Sequence, residues 1–409
     1  MQTKTGVTEV GKPPEKLKHN NGSYLSTKLS VLMVSTYPPD TDGIASYTAR
    51  LGSALRNDGV RIIIAANDRD WKRNSPYYIF SIIQKSIKSK TKIVHIQLSY
   101  FMFGNEYYTG LFPLLELGLK LLDKRVVITL HDIVQKSNLK GSFLKNHTKP
   151  GFLSLKRWAL EYYTRIVCSI ADRIIVHSQV AQNVLAQDYQ VPIKKTQVIS
   201  HGIDQSPFKA NKDSCKINFL KNKDQQIVTY FGLVRNGKGL EDLVQAWKKL
   251  KNVNAQLLII GGKHPTLQDR CHENLSKMVK ELRLESSIRF VGYVPDELLP
   301  AFLAESDVFV LPYNEWGDVI ASSGALSILA PYLKPIIATD VPAFIHLKNT
   351  GAALIIKKGD IDGLASAIMK VLSDGRTRNS LTNALSKWLP ESSWSVVARK
   401  TISLYRELL

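Results

Sequence analysis

Three groups of residues in this chain have the types and spacing to handle an anion or a polar ligand. Ser322-Ser323-Gly324 stand at the head of a helix-prone run. At such a start the first backbone N–H groups lack intrahelical partners, and the helix dipole favours negative charge. Arg235 and Lys238 lie in a loop that also holds Gly232, Gly237 and Gly239, between a strand-like segment and a helical one. Two cations in a glycine-rich strand-to-helix loop suit a phosphate. His131 follows the apolar run 126–130, which puts it at the carboxyl end of a strand, where ligands of parallel sheets collect. Each group also has a plainer reading: an N-cap and packing turn, solvated charges beside a turn, a hydrogen-bonded structural histidine.

The elements around these residues form two series. In the front half, residues 29–35, 60–66, 93–98, 126–130, 173–177 and 196–200 read as buried strands, separated by helical stretches that begin with 44–57. Alternation of this kind predicts a parallel sheet covered on both faces. A second series of strands follows at 226–231, 256–260, 287–291, 308–311, 335–339 and 353–355. Helical segments at 240–251, 266–282, 295–304 and 324–330 fill its gaps. The expectation is an α/β chain of two Rossmann-like domains facing across a cleft: 29–205, then 206–390, with a terminal helix in 391–409. At 409 residues, two domains are also the default on length alone.

Composition narrows the partners. With 44% hydrophobic residues, both halves can build cores. Residues 111–122 are interrupted by Pro113, Glu116 and Lys120, well short of the roughly 20 apolar residues of a membrane span. Residues 1–28 are polar, lysine-bearing and without an apolar signal core, and read as a disordered basic tail. Cys168, Cys215 and Cys271 are scattered, with no CxxC or Cys/His spacing, so neither a disulfide framework nor a metal site is expected and a cytoplasmic setting fits. The net charge of +20 is uneven, with 28 Lys+Arg against 15 Asp+Glu up to residue 205 and 27 against 20 after it. Nucleic acid, anionic lipid and phosphorylated substrates all suit such a balance. No nucleic-acid recognition motif stands out. Residues 71–92 and 143–165 interleave aromatics with cations, among them Trp71-Lys72-Arg73, Phe80 and Lys156-Arg157-Trp158. Such segments read either as solvated helix faces or as a peripheral attachment to an anionic membrane surface.

The run from Arg289-Phe290-Val291-Gly292-Tyr293-Val294-Pro295 to Lys334-Pro335-Ile336-Ile337-Ala338-Thr339-Asp340 resembles the donor-nucleotide half of the GT-B glycosyltransferases, specifically glycosyltransferase family 4. The likeness extends from Val31 to Leu409. It takes in Tyr37-Pro38-Pro39 with Gly43, Val94-His95-Ile96-Gln97, Thr129-Leu130-His131-Asp132, Ile199-Ser200-His201-Gly202 and Tyr230-Phe231-Gly232-Leu233-Val234-Arg235-Asn236-Gly237-Lys238-Gly239. The resemblance implies a retaining, metal-independent enzyme without a cofactor. It would move a hexose such as mannose or glucose from a nucleotide-diphosphate sugar to a hydroxyl of a glycan or lipid-linked acceptor. It assigns His131, Arg235 and Lys238 to catalysis, and Gly232, Val294, Ser322, Ser323 and Gly324 to the donor phosphates. Gly43 and Tyr37 fall in the acceptor-side loop, and the last helix crosses back to the first domain.

One departure stands out. Two glutamates common in the family fall near Ile320 and Ile328, both apolar here. Glu315 and Asp318 are nearby carboxylates that could replace them. A catalytically idle nucleotide-sugar binder or scaffold is the alternative that this departure supports. His95, His177 and His201 read as structural, with His201 bordering the cleft.

Overall fold

A computed structural model describes residues 29–40, 42–66, 75–100, 102–104, 106–140, 153–207, 225–250, 253–262, 270–314 and 319–409. The tail 1–28, Glu315, Asp318, Trp71-Lys72-Arg73, Phe143 and residues 208–224 just after the expected domain boundary lie outside the described residues.

The first sheet contains β1 (Ser30–Val34), β2 (Arg61–Ala65), β3 (Ile93–Leu98), β4 (Arg125–Leu130), β6 (Arg173–Val176) and β7 (Thr196–Val198), with β5 (Asp132–Val134) outside it. Its spatial order is β2-β1-β3-β4-β6-β7, every pair parallel. All six residues of β3 are buried, as a central strand covered on both faces requires. The second sheet contains β8 (Gln226–Phe231), β9 (Ala255–Ile260), β10 (Ile288–Gly292), β11 (Val308–Leu311), β13 (Ile336–Thr339) and β14 (Leu354–Ile356), with β12 (Val319–Ala321) outside it. Its order is β10-β9-β8-β11-β13-β14, again all parallel. Strand order therefore reverses beside β1 in one sheet and beside β8 in the other. A crevice opens at the carboxyl ends of each reversal, because neighbouring connections leave to opposite faces.

Helix starts follow local chemistry. The Asp42 carboxylate accepts from Ala45 N at 2.7 Å and opens Gly43–Asn57. Ser178 does the same for Gln179–Tyr189, Asp360 for Ile361–Ser373 and Ser393 for Trp394–Arg406. These oxygens satisfy donors that the first turn leaves open. The helix expected over 295–304 begins at Leu299, after a turn at Pro295. Pro300 sits in its first turn, where a missing N–H costs nothing.

One core serves the second domain, and two cover the faces of the first sheet. The core that contains Val31, Met33, Tyr47 and Leu51 also takes in Trp394, Val397, Ile402 and Tyr405. The terminal helix is thus built into the first domain, across the opening between the two. Its crossing runs beside Ile203, whose N–H donates to Ser392 O at 2.8 Å. The expected strand series omits a two-stranded antiparallel ribbon, in which β5 of the first domain pairs with β12 of the second. Three apolar residues have no readable period, and the partner is almost 190 positions away.

Gly202 lies where the crossing is tightest. A Cβ there would come within 2.3 Å of the Trp394 ring. Gly202→Ala is expected to destabilise the chain by about 1–3 kcal/mol through overpacking. Thermal denaturation would show a Tm several degrees lower; an unchanged Tm would mean that Trp394 moves aside freely.

Candidate active site

The loop after β8 is shaped by glycine. Gly232, Gly237 and Gly239 all have positive φ, and a Cβ on Gly239 would lie 1.8 Å from Pro312 O. The loop therefore touches the end of β11, which only a residue without a side chain allows. This approach carries Lys238 into the crevice at the strand reversal. Lys238 is 6% exposed, and its Nζ stands 3.8 Å from the centroid of the Tyr313 ring. The ring face attracts the ammonium. Burial, and secondly the charge of Arg235, holds the Lys238 pKa well below the usual lysine range. The Tyr313 hydroxyl, pushed up to about 12 by burial, is 3.3 Å from Ser323 Oγ. Ser323 is in turn the N-cap of Gly324–Leu329, accepting from Leu326 N at 3.3 Å. The two anion-suited groups of the sequence thus meet through one aromatic ring.

Across the opening, His131 follows β4. Its Nε2 lies 2.9 Å from the Gln97 side-chain amide, and its Nδ1 lies 3.3 Å from His177 Nε2. His177 Nδ1 is 3.0 Å from Ile199 O. A carbonyl oxygen only accepts, so His177 Nδ1 carries the proton and its Nε2 presents a lone pair to His131. Tyr47 packs at the hub, with ring centroids 4.7 Å from His131, 5.3 Å from His177, 5.1 Å from His201 and 5.1 Å from Trp394. Burial lowers the pKa of each of these histidines, that of His177 to about 4 and that of His201 to about 3. For His131 the neighbouring histidines add to the effect. All three rings are neutral near pH 7.

A cavity of about 560 Å³, open to solvent, lies between the domains, and its walls include His131, His177, His201, Ser322, Ser323 and His346. The structure thus brings His131 together with Ser322 and Ser323, and sets Lys238 behind Ser323. Gly232 lies at the end of β8 with its backbone against Gly261, and half-buried Arg235 is in the same loop. Val294 is buried in the second-domain core. Gly43 is exposed at the first turn of its helix, with open space around it, and Tyr37 is half-buried in a turn where its O accepts from Asp40 N. Neither Gly43 nor Tyr37 lines the cavity.

Sequence reasoning missed two contributors, His177 and Tyr313. His177, read as structural, lines the cavity beside His131, together with His201, which was read as bordering the cleft. The signal was available, since each of the three follows the carboxyl end of an apolar strand. Tyr313 had no such signal, because only the folded chain sets its ring under Lys238.

Comparison with known proteins accords with this geometry. The model of Glycosyltransferase Family 4 matches residues 41–206, and that of Glycosyl transferases group 1 matches residues 211–388. An uncharacterised glycosyltransferase of Methanocaldococcus jannaschii is 25% identical over 246 residues, covering 57% of this chain and 60% of the relative. Mannosylfructose-phosphate synthase of Agrobacterium fabrum is 25% identical over 249 residues, covering 58% and 54%. The chain therefore spans less than two thirds of the length of either relative. Among solved structures, sucrose-phosphate synthase from Thermosynechococcus elongatus superposes with a TM-score of 0.69 at 20% identity, over 93% of this chain and 99% of that one. Anabaena HepE in complex with UDP-glucose gives 0.69 at 14% identity, over 93% and 100%. The paired sheets and both family matches lead to one statement: the chain belongs to glycosyltransferase family 4 and has the GT-B fold.

Proposed function

We propose that the chain transfers a hexose from a nucleotide-diphosphate sugar to a hydroxyl of a glycan or lipid-linked acceptor, with retention of configuration. The observation that carries this reading is the Lys238–Tyr313–Ser323 contact at the strand reversal, of which Ser323 lines the same cavity as His131. A buried ammonium is poorly solvated, so an arriving pyrophosphate meets a cation that water does not screen. Negative charge grows on the leaving diphosphate as the glycosidic bond breaks. Lys238, Arg235 and the backbone N–H groups of Ser323 and Gly324 take up that charge, where preorganised donors lower a barrier most. His131 orients the sugar. The acceptor hydroxyl attacks from the face that the diphosphate leaves, and a phosphate oxygen takes its proton. This sequence uses protein cations in place of a metal. Gly43 and Tyr37 belong to the acceptor side of this scheme, and Gly232 and Val294 to the donor side.

The catalytically idle reading rests on Ile320 and Ile328. Transfer from a screened UDP-, GDP- or ADP-sugar, reduced about 10²–10³-fold in Lys238→Ala as expected for loss of one transition-state charge partner, favours the enzyme. Donor binding without turnover in the unaltered chain would favour the idle binder.

A lipid-linked acceptor suits the outer face of the first domain. Helices Tyr77–Ser89, Phe112–Leu121 and Leu153–Ile170 pack side by side. They expose Phe80 at 67%, Leu121 at 88% and Trp158 at 55%, with Lys88 and Lys90 also exposed. Among the described residues, no helix is long and apolar enough to cross a membrane. Exposed apolar side chains with lysines on the same layer of helices suit the headgroup layer of an anionic bilayer. Vesicles containing phosphatidylserine are expected to sediment the protein at low salt, and Leu121→Ser/Trp158→Ser to weaken this severalfold. Indifference to lipid charge would remove the membrane from the proposal.

The neutral histidines give a pH signature. An unfolded chain takes up protons near pH 6.5, whereas His177 in the folded state waits until about 4. The folded state therefore binds fewer protons between these values. Its stability is fully present above pH 6.5 and is lost as pH falls toward 4, by at most about 1.4 kcal/mol per pH unit for each such histidine. Denaturant midpoints at pH 7, 6 and 5 are expected to fall more steeply in the unaltered chain than in His177→Asn; equal slopes would contradict the assignment.

A further inference from the structure

We infer that Ile320, whose side chain also lines the cavity, is the positioning residue that fastens the Ser322–Ser323 loop to the first domain and so sets it opposite His131. The inference rests on the transferase reading for its purpose, though the contact itself is geometric. Ile320 belongs to the second domain by sequence, yet it is 6% exposed within a core whose other buried members all lie between Leu32 and Val191. In the β5–β12 ribbon it stands opposite Ile133, with Val319 opposite Val134 and Ala321 opposite Asp132. Val319 packs against the neighbouring cluster of Val134, Leu139 and Leu160. One domain thus lends two side chains to the hydrophobic interior of the other.

The ribbon adjoins the site on both strands. His131 immediately precedes β5, and Ser322 immediately follows β12. Fixing the Ile133–Ile320 pair therefore fixes the span across which a donor would bridge pyrophosphate and sugar. A ribbon of two three-residue strands is marginal in water by itself. Its persistence depends on the burial of Ile320, so an apolar residue here has a use that a carboxylate would forfeit, since a charge buried without a partner is expelled. Lys238, Tyr313 and Arg235 lie on the second domain and do not depend on the ribbon for their mutual placement. Loosening it should therefore disturb the relation between the domains more than the anion seat.

Full-length Ile320→Glu, Ile320→Ala and Ile320→Leu test this against the unaltered chain, with hydrogen exchange and UDP binding as readouts. In the Glu and Ala variants, amides of 132–134 and 319–321 are expected to exchange at least roughly tenfold faster, while strands of the two large sheets keep their protection. UDP affinity is expected to fall by no more than about threefold, because Lys238 and Tyr313 keep their mutual placement within the second domain and only the Ser323–Gly324 donors are loosened. The Leu variant should restore protection. With any donor that supports turnover, kcat should fall at least roughly tenfold in the Ala variant with KM for the donor little changed. Unaltered exchange in the ribbon, or loss of protection throughout the first sheet, would overturn the inference. A UDP affinity that fell in step with exchange would overturn it too, by showing that Ile320 shapes the anion seat directly. If Ile320→Glu does not fold, Ile320→Ala supplies the same comparison. Absence of turnover in the unaltered chain with every donor would end the transferase reading and leave the exchange result standing.

Discussion

A lysine ammonium held out of water against an aromatic ring is the interaction on which the site depends. Lys238 reaches Tyr313 only because Gly239 lets its backbone pass against Pro312. That contact exists because β8 and β11 are neighbours at the point where strand order reverses. Charge in such a place is costly, and burial pushes the lysine toward its neutral form. An anion in the crevice reverses that preference. The fold thus holds a lysine whose charge is costly where it stands and would be favoured by an anion beside it.

The first domain answers with the opposite device. Its cavity wall has three imidazoles arranged around Tyr47, each kept neutral by burial, with neighbouring histidines adding to the effect for His131 and His201. Neutral rings next to a site for negative charge neither compete for the anion nor repel the cations that hold it. The two ring nitrogens of His131 lie 3.3 Å from His177 Nε2 and 2.9 Å from Gln97 Oε1, and the single N–H of the neutral ring serves one of these contacts. One wall thus holds a cation and the other a set of neutral rings.

Two connections keep these walls in register. The terminal helix passes from the second domain into the core of the first, with Trp394 seated on Gly202 and Tyr47. The β5–β12 ribbon closes the other side and carries Ile320 with it. Both are long-range contacts made by few residues, which suits a joint better than a continuous core would. The apolar residue at position 320 ceases to look like a lost function once its side chain is seen among the first domain's interior.

The parallel sheets were legible because buried strands write themselves as apolar runs and their helices as 3.6-residue periods. The glycine loop with Arg235 and Lys238, the small residues at 322–324 and the strand-end His131 were legible because backbone freedom, charge and chain position are properties of single residues. The amino-acid sequence by itself therefore determined the two-domain α/β architecture, the family likeness and most of the polar candidates. Only the tertiary structure decided that Lys238 stacks on Tyr313, that His177 and His201 join His131, and that Ile320 crosses to the other domain's core. Each of those depends on contacts between residues tens to hundreds of positions apart, and no local pattern encodes a distance that the packing of two sheets alone sets.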